Sequence, residues 1–328
     1  MPDKIKVGVL THGGGAHVGA YLEALAASKE CGEVVFADPD KRWEAAARST
    51  LGEKLTRTYT SHDQLLARES PELAVVTMEA KLAPPVIDRA LDAQCHVFAE
   101  KPSCVRVEDF APLVEKADRQ HRYLMLALAN RTNPEITEAK RLIAAGEIGK
   151  LYGVEIHLVA DQTRLTRQSF RDSWMCQKAR AGGGHLIWLG IHWLDLAMYV
   201  TDSEITDVAA FTANVGGQPI DIEDSATAAL RFNNGTLGTV TSGYYLDKGY
   251  HSNIKIWGAG FAADESVTVV AVAASSGADR ILVGTDANSS GAFMVESSNS
   301  LAVGVYTVRA DGDMGSKATA PLVIVEEK

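Results

Sequence analysis

Residues 5–10 form a largely apolar run that breaks at once into Thr11, His12, Gly13, Gly14, Gly15 and Ala16. The chain then enters a stretch, 20–25, whose apolar residues recur at helical spacing. A strand, a glycine turn and a helix in direct succession constrain the fold strongly, because periodicity must switch from two to 3.6 within a few residues. The switch repeats: strand-like runs at 34–38, 73–77 and 96–99 are separated by helical stretches at 43–47 and 86–91. Short strands alternating with helices predict an α/β domain with a parallel sheet wound on both faces, the Rossmann arrangement.

In such a sheet the first glycine turn is where a dinucleotide pyrophosphate would rest, since residues without side chains let backbone N–H groups approach phosphate at a helix N-terminus. The register reads Thr11-x-Gly13-x-x-Ala16, with threonine in the first glycine position, and Gly13-x-Gly15-x-x-x-Gly19 is an alternative register. Thr11, Gly13, Gly14, Gly15 and Ala16 are therefore the candidate cofactor cradle. Asp38 ends the second strand, where a carboxylate would accept from the adenosine ribose hydroxyls and disfavour a 2′-phosphate. This favours NAD, with NADP kept as an alternative by Lys41 and Arg42 just beyond. Asp38-Pro39-Asp40 also makes a good helix-start turn with no ligand at all.

With 328 residues, of which 46% are hydrophobic, the chain can bury two or three cores. Its formal charge of −10 is distributed along the sequence, which speaks against nucleic acid as a partner. No apolar span is long enough for a bilayer and no leader precedes the first strand, so no membrane association and a cytoplasmic location are expected. Cys31, Cys95, Cys104 and Cys176 lack CxxC spacing and predict buried free thiols, with no metal site.

The tetrad Ala99-Glu100-Lys101-Pro102 follows the strand at 96–99. Further on stand Asn130-Arg131-x-Asn133-Pro134, Gly146-Glu147-Ile148-Gly149-Lys150, Gly182-Gly183-Gly184 and Gly190-Ile191-His192-x-x-Asp195. With the glycine turn and Asp38, these ordered patches resemble the glucose-fructose oxidoreductase, inositol dehydrogenase and MocA (Gfo/Idh/MocA) family over residues 4–257. The resemblance implies a Rossmann domain (1–129) followed by an α+β domain with a large open sheet (130–257), a sheet that in the family commonly serves homo-oligomerisation. It implies Lys101 as catalytic acid/base and His192 as the residue that binds and polarises a substrate hydroxyl. Glu100 would hold Lys101 and the cofactor edge, and Thr77 would contact the nicotinamide ribose. The chemistry is coherent, since hydride transfer from a carbinol carbon requires the hydroxyl proton to leave, and a lysine depressed by burial can take it. Asp195 reads as structural. Four residues before His192 the family commonly has an aspartate; here Trp188 stands there, with His185 the nearest group able to share a proton. Trp188 also suits a stacking wall for a sugar ring. Arg171 and Trp174 lie in a stretch the family often uses over the active site.

After residue 257 the texture changes to period-two runs of Ala, Ser, Val, Gly and Thr separated by turn signals such as 285–288 and 310–313. Residues 258–328 predict a small all-β sandwich and resemble bacterial immunoglobulin-like modules. The resemblance also implies further strands for the second domain after 257, so its sheet is expected either to end early with an open edge or to pair with the tail. The leading functional expectation is an NAD(P)-dependent oxidoreductase acting on a sugar, polyol or related cyclic alcohol. The alternatives are an NAD-dependent glycosidase using transient oxidation and a non-enzymatic carbohydrate-binding or adhesion protein.

Overall fold

The computed structural model describes residues 4–259, 266–273, 279–287, 304–312, 314 and 316–324. Strands β1 (Ile5–Thr11), β2 (Cys31–Ala37), β3 (Leu55–Tyr59), β4 (Leu73–Thr77), β5 (His96–Ala99) and β6 (Leu124–Leu126) form one sheet in the order β3-β2-β1-β4-β5-β6. Every pairing in it is parallel, as βαβ crossovers require. Helices α1 (Val18–Ala27) and α2 (Glu44–Leu51) supply Val18, Leu22, Ala47 and Leu51 to the core on one face. On the other, α3 (His62–Glu69), α4 (Ala83–Asp92) and α5 (Val107–Arg119) supply Leu65, Val86, Ile87 and Leu113. Each buried Val, Leu or Ile among them is worth up to roughly 1.5–3 kcal/mol of apolar transfer, so two-faced burial explains why the strands read as continuous apolar runs. The strand order reverses between β1 and β4, and the crevice at their carboxyl ends is where this topology receives ligands.

The second sheet contains β7 (Lys150–Asp161), β8 (Ile205–Ala213), β9 (Ser225–Phe232), β10 (Leu237–Leu246) and β11 (Tyr250–Ala259), ordered β11-β7-β10-β9-β8. β7 and β10 run parallel and the other pairs antiparallel. One face packs Val154, Ile156, Leu230 and Phe232 against α7 (Ile191–Thr201), with Ala197 fully buried. The helix α6 (Pro134–Ala144) packs on α7 through Ile136, Leu196 and Val200. One π-turn at Leu186–Gly190 leads into α7 and sets its first residues at the crevice of the first sheet. The expected Rossmann sheet followed by a mixed α+β sheet is thus present.

The tail differs from expectation. Its strands β12 (Ser266–Ala273), β13 (Asp279–Asp286), β14 (Gly304–Gly312) and β15 (Lys317–Ile324) make a single antiparallel sheet ordered β13-β12-β14-β15. Among the described residues there is no second sheet facing it, so the sandwich is not seen; the parts of that expectation that fall on 260–265, 274–278 and 288–303 lie outside the described residues. Nor, among the described residues, does the tail extend the second sheet: there β11 has a ladder only with β7, and β12 only with β13 and β14. Of the two outcomes expected for that sheet, the described residues show the open edge.

The two sequence motifs around Arg131 and Asp195 meet in space. The buried Asp195 carboxylate on α7 accepts from Arg131 Nε at 2.7 Å and from Arg131 Nη2, a bidentate pair that ties the segment leaving the first sheet to α7. Because Arg131 is partly exposed, Asp195→Asn is expected to cost about 2 kcal/mol. Thermal denaturation should show a fall of several degrees in Tm, and an unchanged melting point would remove the pair from the account.

Candidate active site

The glycine turn after β1 is shaped by its neighbours. A Cβ on Gly15 would lie 2.3 Å from Thr11 Oγ1 and 2.6 Å from the Thr77 carbonyl, so only glycine fits. Thr11 and Thr77 are both fully buried and clasp the ends of β1 and β4, Thr77 Oγ1 donating to Thr11 Oγ1 at 2.6 Å. Gly13 N–H donates to Asp40 Oδ2 at 2.6 Å and Gly14 N–H to His12 Nδ1 at 3.2 Å. The first turn of α1, by contrast, has no side-chain cap, with His17 at the capping position in the left-handed region. Its N–H groups and positive dipole end face the crevice, where an anion would satisfy them.

Asp38 is buried, with Oδ1 accepting from Asp40 N–H at 3.0 Å and Oδ2 from Trp43 N–H at 2.8 Å. Asp38 thus holds the turn that precedes α2 without capping the helix itself, which begins at Glu44. Each oxygen retains a lone pair toward the end of β2, so the ribose reading is compatible with it.

Lys101 follows β5, is 3% exposed, and reaches across to the second sheet's π-turn. Its Nζ donates to the Trp188 carbonyl at 2.9 Å and sits 4.1 Å above the Trp188 ring. Burial pulls the ammonium down to about 8, with Glu100, whose Oε1 is 4.0 Å away, opposing the shift. The residue that replaces an expected aspartate therefore still serves the lysine, through its backbone carbonyl and its π-face, neither of which carries a full charge.

Glu100 is buried behind Lys101. Its Oε2 accepts from the Tyr21 hydroxyl and lies 3.2 Å from His17 Nδ1, while Oε1 has no hydrogen-bond partner. His17 in turn stacks on Trp188 with ring centroids 6.1 Å apart. His192, in the first turn of α7, has its pKa lowered to about 4 by burial and by the Lys101 charge, so it is a neutral imidazole near pH 7, and its Nδ1 is buried without a partner. Lys101, Trp188 and His192 line a cleft of about 380 Å³ together with His17, Arg164, Arg167 and Tyr250.

Three other expected site residues fall elsewhere. His185 is fully buried, hydrogen-bonded through Nδ1 to Ser242 Oγ at 2.7 Å and packed edge-on against Tyr244. It does not line the cleft, so it cannot take the missing aspartate's place there. Arg171 spends its guanidinium on the carbonyls of Leu165 and Thr166, both at 2.9 Å, and on Gln168; it fixes a turn and does not face the cleft. Trp174 is buried, donates from Nε1 to the Gly14 carbonyl at 2.9 Å and meets Trp188 edge-on, buttressing the glycine turn against the cleft wall. His17, Arg164, Arg167 and Tyr250 also line the cleft, and Tyr21 holds Glu100, although nothing in the local sequence marks them. Only β7–β11 pairing, which sets Tyr250 opposite Ala160, brings Arg164, Arg167 and Tyr250 to one rim.

A dinucleotide fits what is present. The cradle closes to any residue but glycine at position 15, the helix start is uncapped, and two buried polar atoms next to the cleft, Glu100 Oε1 behind Lys101 and His192 Nδ1, have no hydrogen-bond partner.

Residues 5–128 match the family model described as oxidoreductase family, NAD-binding Rossmann fold, and residues 136–261 match that of the GFO/IDH/MocA C-terminal domain. An uncharacterized oxidoreductase of Schizosaccharomyces pombe is 30% identical over 233 residues, covering 70% of this chain and 60% of that protein. The myo-inositol 2-dehydrogenase of Thermotoga maritima is 23% identical over 62% of this chain and 58% of its own length. The chain spans 51–62% of the length of the first of these relatives. In fold, it is similar to the WlbA dehydrogenase from Bordetella pertussis, solved with NADH and UDP-GlcNAcA, with a TM-score of 0.70 at 24% identity, covering 82% of this chain and 76% of that one. The scyllo-inositol dehydrogenase of Lactobacillus casei, solved with NAD(H) and scyllo-inositol, gives 0.68 at 20% identity, covering 78% and 74%.

Gly15→Ala should leave the sheets folded but push the turn off Thr11 and Thr77. In a thermal-shift titration it is expected to weaken NADH binding at least about tenfold, a loss of roughly 1.4 kcal/mol; wild-type affinity in this variant would contradict the cradle.

Proposed function

We propose that this chain, whose residues 5–261 belong to the GFO/IDH/MocA oxidoreductase family, is an NAD-dependent dehydrogenase oxidising a hydroxyl carbon of a sugar, polyol or related cyclic alcohol. The observation that carries the reading is Lys101, a buried amine poised near 8 at the floor of a cleft, next to a neutral His192 with an unmet hydrogen bond. Thr11, Gly13, Gly14, Gly15 and Ala16 would cradle the pyrophosphate. Asp38 would take the ribose hydroxyls and favour NAD over NADP, Thr77 would border the nicotinamide ribose, and Glu100 would fill the gap beneath it. Bound there, NAD supplies the hydride acceptor.

The chain's own part is proton handling. The substrate hydroxyl sits between Lys101 Nζ and the His192 ring. Neutral Lys101 accepts the O–H proton as the carbinol C–H bond gives up its hydride, leaving a carbonyl on the substrate and an ammonium on Lys101. The ammonium stays tolerable because the Trp188 carbonyl and ring and the Glu100 carboxylate face it. His192 orients the hydroxyl without competing for its proton, since its low basicity keeps it neutral. The Trp188 ring makes a wall on which a sugar or cyclitol face can lie.

A homo-oligomer formed through the second sheet is part of this reading, supported by β8, whose Phe211 is 84% exposed. All four cysteines are free, which supports a reducing, cytoplasmic setting; among the described residues no helix is long and apolar enough to cross a membrane. The immunoglobulin-like resemblance of the tail assigns it no part in the chemistry.

Purified protein with NAD and a panel of sugars and inositols should generate reduced cofactor. Lys101→Met should lower kcat by about 10²–10⁴ with folding intact, and silence of wild type across the panel would sink the reading. Because the base must be unprotonated, kcat/KM for alcohol oxidation should rise with pH through an apparent pKa near 8 and level off above it. A profile flat from pH 6 to pH 10 would exclude Lys101 as the base.

A further inference from the structure

The rim of the cleft is cationic in an acidic protein. With a formal net charge of −10, an arbitrary patch of this surface should lean negative. The cleft instead collects Lys101, Arg164 and Arg167 with His17 and His192, and no carboxylate side chain is among the residues that line it. Glu100, the nearest buried acid, faces Tyr21 and His17 from behind Lys101. Neither Arg164 nor Arg167 makes a salt bridge within 4 Å among the described residues, in contrast to Arg131 and Arg180, which pair with Asp195 and Glu79.

The turn that carries the two arginines is also built into place. They sit three residues apart on the turn after β7, and Arg171 braces that turn from beneath through the Leu165 and Thr166 carbonyls. Arg164 donates to the Tyr250 hydroxyl and lies over its ring, 5.0 Å from the centroid, so the first residue of β11 holds its guanidinium at the rim. Asp161, on the same turn, is already engaged by the Thr163 N–H at 2.7 Å and by the Thr163 hydroxyl. These bonds, first, and then the two arginines hold its carboxyl below the usual range, so it is an anion that partly offsets their charge without pairing with either. One guanidinium held at the rim by Tyr250 and a second on the same braced turn, neither in an ion pair among the described residues and both lining the cleft that holds the proton acceptor, match a carboxylate or phosphate oxygen pair far better than a neutral polyol.

We propose that the substrate carries an anionic group, a carboxylate or a phosphate, held by Arg164 and Arg167 while its hydroxyl reaches Lys101 and His192. The inference rests on the cleft being the substrate site of the proposed dehydrogenase, and it narrows the substrate class from sugars and polyols at large to sugar acids or sugar phosphates.

The test reads binding and not turnover. Tryptophan fluorescence of the NADH-loaded full chain, with Trp188 in the cleft wall, is titrated with matched pairs: D-glucose against D-glucuronate, D-galactose against D-galacturonate, and D-glucose against glucose 6-phosphate. At least one charged member should bind about tenfold or more tightly than its neutral partner, with the advantage shrinking as salt rises. The uronate and phosphate arms tell which anion is held. In Arg164→Gln/Arg167→Gln the advantage should vanish while NADH affinity is kept. Arg167→Gln alone, at an exposed side chain, should lose part of it with an unchanged melting point. The proposal is overturned if no charged ligand outbinds its neutral partner, if the double variant keeps the preference, or if the double variant loses NADH affinity in parallel, which would assign the guanidiniums to the cofactor's phosphates. Tight binding of a charged sugar that forms no NADH when the same sugar is incubated with the chain and NAD would count against the dehydrogenase and leave the charge preference standing. Turnover of neutral sugars at rates indifferent to both arginines would do the reverse.

Discussion

Everything in the site depends on one ammonium group being carried from the first sheet into the second. Lys101 leaves the end of β5 and finds its acceptor on the π-turn before α7, at the Trp188 carbonyl. A buried amine without an acceptor would be expensive, so this contact also fixes how the two sheets meet. Other bonds follow the same seam: Trp174 to the Gly14 carbonyl, Arg180 to Glu79, and Arg131 to Asp195. At Lys101 and Trp188 the seam is also a wall of the cleft, so one of the bonds that hold the halves together shapes the space between them.

Trp188 shows how a position can change residue type and keep part of its task. An aspartate would offer Lys101 a full negative charge and hold its proton firmly. A carbonyl dipole and an aromatic face offer less, so desolvation prevails and the amine falls to about 8, with Glu100 limiting the fall. The indole also closes the cleft against Trp174 and His17, which a short carboxylate could not do.

Much of this was legible in the chain itself. The strand-turn-helix alternation, Thr11 to Ala16, Asp38 and the Glu100-Lys101-Pro102 triplet are local patterns, and the first sheet and its crevice follow from them. His192 and Asp195 stand one turn apart on one helix, on nearly the same face, and only the packing of that helix sends one to the cleft and the other to Arg131. His185 shows the same limit. It is close to Trp188 in sequence, but its ring turns into the core toward Ser242, and sequence distance says nothing about that direction.

Local patterning along the chain sets the order of elements and the identity of groups able to move a proton, because periodicity, glycine placement and residue chemistry act over a few positions. The tertiary structure alone decided that Trp188 supplies a carbonyl, that Arg171 braces a turn while Arg164 and Arg167 face the cleft, and that the tail makes its own sheet. Those outcomes depend on strand register and on contacts spanning up to 160 residues, such as that between Trp174 and Gly14. Such contacts leave no periodic trace along the chain, because the partner of each group is chosen by packing and not by neighbours in sequence.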